Sequence, residues 1–262
     1  MAGKALNIER KLGSARNRIH RIGIELEGAW RSLPSGVTLD GDGSIHIEMP
    51  AGVTPGDIVA DPRTGRRTYR GWSVGELPSE PLDPTDSSSG IYWKPWIRNY
   101  YPSDVNASCG MHVHMSFLNA LHYQRLMTPD YQETMATFLI EWAKRDGTFG
   151  DRHHIWKRLK GENEYCKKEF YADLQANNAR KVYDHHREGN RYTGINYPHA
   201  MHQTIECRFL PMMKDAEQAI SAIQRVLDIT NACLAVMKIR EKKHRVSDIE
   251  DEKVVEHSIW RV

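Results

Sequence analysis

The chain has 262 residues, 40% of them hydrophobic and 27% charged, with a formal net charge of +2. That composition excludes a disordered chain and fits a folded globular protein. The near-balanced charge gives no reason of its own to expect a nucleic-acid partner. No apolar run approaches the length of a membrane span, and no apolar segment follows the basic residues of 1–20, so neither a membrane nor a secretion signal is expected. Cys109, Cys166, Cys207 and Cys233 are far apart and form no Cys-x-x-Cys pair, which predicts free thiols and a cytoplasmic location.

In chain order, residues 1–20 carry Lys4, Arg10, Lys11, Arg16 and Arg18 with little apolar pattern and read as a solvated basic arm. A single domain is expected over 21–243 and a charged tail over 244–262. Ile22, Ile24 and Leu26 alternate with Gly23, Glu25 and Glu27, the period of a strand, which puts both carboxylates on one face. Two solvated glutamates on a surface strand are the simplest account of that segment. Asp40-Gly41-Asp42-Gly43-Ser44 is a turn signal, a hairpin is expected around 61–65, and Trp72–Leu77 reads as another strand, with Glu76 and Leu77 on opposite faces. The aromatic run Tyr92, Trp93, Trp96, Tyr100 and Tyr101 is expected to pack as core or cover.

Cys109-Gly110-Met111-His112-Val113-His114-Met115-Ser116 is the most informative stretch. As a strand it projects both imidazoles from one face and Met111, Val113 and Met115 from the other. Two imidazoles on one face suit a metal or a phosphate, although His-x-His also occurs by chance on amphipathic strands. A helix capped by Thr128, with Pro129 in its first turn, follows. Residues 151–188 are expected to be helical without clear boundaries. Ile205, Cys207 and Phe209 alternate with Thr204, Glu206 and Arg208, a strand with a carboxylate and a guanidinium on one face, which an ordinary ion pair would explain. Asp215 then caps a long helix over about 216–243.

Three strands thus share one design, with functional groups at i and i+2 on one face and apolar groups on the other. If they lie in one sheet, their polar faces form a bowl whose carboxylates and imidazole could hold Mg²⁺ or Mn²⁺. An arginine in such a bowl calls for an anion such as phosphate. No Walker A loop and no dinucleotide-binding glycine motif is present.

Gly110-Met111-His112-Val113-His114-Met115-Ser116 resembles the Gly-Met-His-x-His-x-Ser signature of glutamine synthetases. Gly23-Ile24-Glu25-Leu26-Glu27 and Glu206-Cys207-Arg208-Phe209 resemble the Glu-x-Glu and Glu-x-Arg strands of the same superfamily. With Asp42-Gly43-Ser44, Glu76-Leu77-Pro78-Ser79-Glu80-Pro81, and Arg191 with Asn196, the chain is similar to the amidoligase branch of the carboxylate–amine ligase superfamily, six motifs in the family's order over residues 23–208.

The resemblance implies an α+β fold, a curved, mostly antiparallel sheet with the site on its concave face and helices on the convex one. It implies ATP and Mg²⁺ or Mn²⁺ as cofactors, and a carboxylate and an amine as substrates: an amino acid, a peptide, a protein side chain or a modified polymer. Glu25, His112 and Glu206 would hold one metal, nearer the ATP phosphates, and Glu27 and Glu76 a second, nearer the substrate carboxylate, a cluster that could also orient and deprotonate the amine. His114 would contact nucleotide phosphate, while Arg208 and Arg191 would bind the transferring phosphoryl group or the substrate carboxylate. The activity implied is ATP-dependent amide-bond formation. The alternatives are a metal-dependent amide or phosphoester hydrolase and a nucleotide- or peptide-binding module that has lost catalysis. Oligomeric state is left open.

Overall fold

In a computed structural model, the described residues are 7–33, 36–40, 45, 54, 57–60, 67–86, 90–146, 153–163, 166–167, 193–197 and 204–237. Asp42, Ser44, Arg191 and the charged tail lie outside them.

The period-two segments all become strands of one antiparallel sheet. Strands β1 (Arg21–Trp30), β4 (Ser73–Pro78), β5 (Gly110–Ser116), β8 (Ile195–Asn196) and β9 (Ile205–Pro211) lie in the order β4-β1-β5-β9-β8. Strands β2 (Ile58–Ala60) and β3 (Arg67–Tyr69) pair antiparallel with each other, while the turn expected around 61–65 lies outside the described residues, and β6 (Glu162–Asn163) pairs with β7 (Cys166–Lys167). The coarse class is therefore α+β with a mostly antiparallel sheet, as expected.

Alternation divides the sheet into two chemically distinct faces. Ile22, Ile24, Leu26, Leu77, Met111, Val113, Met115, Ile205 and Cys207 are all buried on one side. Helices α1 (Trp93–Tyr100), α2 (Ala120–Leu126) and α3 (Pro129–Asp146) each pack against α5 (Ala216–Val236) beside this core. The contact is explicit where the Thr230 hydroxyl of α5 meets Met115 Sδ at 3.4 Å and the Tyr131 hydroxyl at 2.8 Å. Trp93 and Trp96 are buried, and Tyr92, Tyr100 and Tyr101 are partly buried against the core, so the aromatic run is core and cover, as expected. Helix α4 (His153–Leu159) lies against β9.

Four sequence expectations change, the first being the helix expected over 151–188: it spans only His153–Leu159 among the described residues, and Glu162–Asn163 and Cys166–Lys167 pair as strands. The basic arm is not simply solvated, because Ile8 and Ile19 are buried and the Arg18 backbone N–H donates to Asn231 Oδ1 at 2.9 Å. Two isoleucines in a charged segment are enough to dock it. The last helix ends at Val236 rather than near 243, since Met237 has extended backbone (φ −71°, ψ 120°) just where the apolar stripe gives way to Lys238, Arg240, Glu241, Lys242 and Lys243. That same helix is long and apolar enough by composition to cross a membrane, but 67% of its most apolar stretch is buried inside the protein, the position of a core helix. All four cysteines are buried free thiols.

One irregularity matters for the site. Met111 pairs with Leu210 but Val113 with Cys207, so two residues of β9, Arg208 and Phe209, oppose the single residue His112. This β-bulge resets the alternation: Leu210 joins the buried side although it shares parity with Glu206 and Arg208.

Candidate functional site

The polar face is built from register. Glu25 lies opposite His112, His114 opposite Glu206, and Glu27 opposite Glu76, while Asn196 of β8 lies opposite Glu206. Four adjacent strands and the short edge strand thus bring together Glu25, Glu27, Glu76, His112, His114, Glu206, Arg208 and Asn196. Of the residues singled out from sequence, Glu80 is exposed, and Arg191, Asp42 and Ser44 fall outside the described residues.

Glu25 is the hub. Its two oxygens reach both imidazoles, Oε2 at 2.7 Å from His112 Nδ1 and Oε1 at 2.8 Å from His114 Nε2. Glu206 Oε1 lies 3.5 Å from His112 Nδ1 and 3.9 Å from His114 Nε2, and accepts from Arg208 Nη1 at 2.5 Å. Its other oxygen accepts from Asn196 Nδ2 at 2.7 Å, so Asn196 fixes the carboxylate plane. Glu27 accepts from the backbone N–H of Gly110. His114 Nδ1 sits 3.2 Å from the Thr204 hydroxyl.

Sequence reasoning missed Arg158. This arginine of α4 is only 2% exposed. Its Nη2 lies 3.1 Å from His112 Nε2, and its Nε donates to the Arg208 carbonyl at 3.2 Å. Gly110 makes room for it: a Cβ there would overlap the guanidinium and lie 2.7 Å from Nη1. The glycine at the head of the His-x-His strand, on the same face as both imidazoles, was the one available signal that another group fills that place.

Charge compensation sets the ionisation of the cluster. Burial pushes the Glu25 carboxyl up, but the charge of His114 and hydrogen bonds from both imidazoles hold it well below the usual range. Burial acts on Glu206 in the same sense and is outweighed by Arg208, then by the two histidines, which leaves its carboxyl lowered. Burial pushes the His114 imidazole down, yet Glu25 and then Glu206 raise it to about 9. Arg208, buried among Glu206, Glu25 and Glu27, is held more firmly protonated than an ordinary arginine.

Two groups of donors have the compactness of a cation site, Glu25 with Glu76 and His112, and Glu25 with His114 and Glu206, each with ligand atoms within 4.8 Å of one another. Carboxylate-rich sets with one imidazole fit hard divalent cations such as Mg²⁺ and Mn²⁺. Glu27 directly opposite Glu76 is a like-charge pair that a cation would relieve. The Arg208 Nε is buried and has no hydrogen-bond partner among the described residues, which fits a site that receives an anion. Comparison with protein-family models, with curated proteins and with solved structures gave no match to this chain.

Proposed function

We propose that this protein is an ATP-dependent carboxylate–amine ligase of the amidoligase kind, with a glutamine synthetase-like arrangement of its sheet. The observation that carries the reading is the single polar face on which Glu25, Glu27, Glu76, His112, His114, Glu206 and Arg208 converge from four strands in the family's motif order.

Glu25 and Glu206 with an imidazole would hold one divalent cation, and Glu27 with Glu76 a second. Bound there, the cations neutralise phosphate charge and polarise its oxygens. The residues of the chain supply the rest. Arg208, with Arg191 from outside the described residues, offers N–H donors to the phosphoryl group as it leaves the ADP oxygen for an oxygen of the substrate carboxylate. The resulting acyl phosphate is attacked at its carbon by the amine nitrogen, and the C–O electron pair departs with inorganic phosphate. Glu76 takes the proton that the amine must lose.

The test is release of ADP and phosphate over a panel of carboxylates and amines with Mg²⁺ or Mn²⁺, followed by product mass. A condensed product with stoichiometric ADP supports the ligase, and Glu206→Gln should then lower kcat by about 100-fold or more. Turnover without nucleotide by a zinc-loaded protein would favour the hydrolase. ATP binding with no phosphate release on any pair would favour a binding module.

A further inference from the structure

Away from the carboxylate cluster, cationic side chains gather where the N-terminal arm meets α2. The His20 N–H bonds to the Ser116 carbonyl at 2.8 Å, so the arm runs alongside the end of β5 and toward the loop that opens α2. The Arg18 N–H is held by Asn231 Oδ1 at 2.9 Å, and Asn231 Nδ2 donates to Asn17 Oδ1 at 3.2 Å, which fixes the arm there. On α2, His122 and Arg125 are one turn apart and share a face. Burial, then the charge of Arg18, then that of Arg125 push the His122 imidazole below its ordinary value, so both guanidinium charges act on one ring. Arg18 Nη1 and Arg125 Nε are buried yet have no hydrogen-bond partner among the described residues. Buried donors left in that state are rare, and an oxyanion would supply acceptors for both.

The same corner carries exposed apolar groups. Of the three large apolar side chains exposed among the described residues, two are here, Leu118 (82%) and Leu121 (44%). Leu121 lies one turn before Arg125, on the side of α2 away from the buried Tyr123 and Leu126. The mount is firm. The Leu121 N–H donates to Asn119 Oδ1 at 2.8 Å, and the Tyr197 hydroxyl donates to the Leu126 carbonyl at 2.8 Å.

We propose that this corner docks on an anionic phospholipid surface, with Arg18, His122 and Arg125 meeting headgroup phosphate and Leu118 and Leu121 entering the boundary beneath it. Cations beside exposed leucines are the means by which a folded protein lies on such a surface. An acidic peptide would satisfy the cations as well, but Leu118 stands out from a loop, and a protruding apolar tip suits a layer that yields to it. The expectation of no membrane partner came from the lack of a spanning run, and a surface contact needs none.

The experiment mixes the full chain with phosphatidylcholine vesicles, alone or with about one third phosphatidylserine, in about 0.1 M salt. Sedimentation should show at least about tenfold stronger partitioning onto the anionic vesicles, lost in about 1 M salt. Leu118→Ser with Leu121→Ser, and separately Arg18→Gln with Arg125→Gln, should each lower it by at least about fivefold. The leucine positions are exposed, so that variant decides even where the arginine variant misfolds. All four native cysteines are buried, so a nitroxide on Leu118→Cys reports that position. Its accessibility to oxygen should rise on anionic vesicles, and that of a label on Lys214→Cys, exposed at the far end of α5, should not. No partitioning onto anionic vesicles, equal partitioning of the leucine variant and wild type, or a Leu118 label that stays in water would overturn the proposal. So would saturable binding of inorganic phosphate or polyglutamate without vesicle binding, which would give the cations to a soluble anion. None of these readouts depends on ADP release, so the docking face and the ligase reading stand or fall separately.

Discussion

Gly110→Ala is the sharpest perturbation of the site that adds no charge. The new methyl group would overlap the Arg158 guanidinium, which is buried and cannot slide along the strand. Displacement breaks the bonds from Nη2 to His112 Nε2 and from Nε to the Arg208 carbonyl. Hydrogen bonds of charged groups contribute about 1.5–3 kcal/mol each, so two amount to about 3–6 kcal/mol. Alanine in a strand recovers roughly 0.5–1 kcal/mol over glycine. The net expectation is a loss of about 2–5 kcal/mol, or a Tm lower by about 5–20 °C for a chain of this size. Urea and thermal unfolding of Gly110→Ala, Arg158→Ala and the double variant would measure it. With Arg158 already gone, the methyl group should cost almost nothing. A Gly110→Ala protein within about 2 °C of wild type, or one equally destabilised in the Arg158→Ala background, would refute the packing argument.

Three further expectations follow from the same structure, beside the kcat loss of Glu206→Gln. The metal-free protein should be most stable in mildly acidic solution. His114, raised from 6.5 to about 9, contributes stability that is complete below 6.5 and lost as pH climbs through 9. Glu25 and Glu206, both lowered from 4.5, contribute stability that is present above 4.5 and lost as pH falls through their depressed values. Urea midpoints should therefore peak between these limits, and a midpoint that rises steadily from pH 6.5 to 9 would contradict the pairing. Asp215→Ala removes the oxygen that accepts from the Gln218 N–H at 2.9 Å and should lower stability by about 1 kcal/mol, read from the urea midpoint. Thr204→Val should weaken Mn²⁺ binding by about 10–100-fold through loss of the hydroxyl that orients His114, with little change in Tm.

The strands and their polar rows were legible because alternation is a local signal. Glu25 with Glu27, His112 with His114, and Glu206 with Arg208 each read correctly as same-face pairs, and their neighbouring strands are adjacent in the sheet. Asn196 was quoted only as part of a motif, yet it anchors Glu206. What was not legible depends on tertiary approach. Arg158 comes from a segment with no clear periodicity and reaches the site only because α4 leans on β9 above a glycine. The bulge at Arg208 and Phe209 is likewise invisible to a period-two reading, which would assign Leu210 to the polar face. Ile8 and Ile19 were hidden by the charge around them. Arg191 remains a reading from resemblance alone.

The margins of the sheet have a consequence for how the protein behaves in concentrated solution. At the β4 margin, the backbone of Asp40 exchanges two hydrogen bonds with Glu76, 2.8 and 3.0 Å long. A Cβ on Gly75 would come within 2.7 Å of the Asp40 carbonyl, so the covering segment presses close. At the opposite margin β8 has only two residues, both buried. An incoming strand from another molecule therefore meets a shielded border on one side and a very short one on the other. Among the described residues, margins of this kind leave an incoming strand few free backbone groups to pair with, which works against edge-to-edge stacking of molecules.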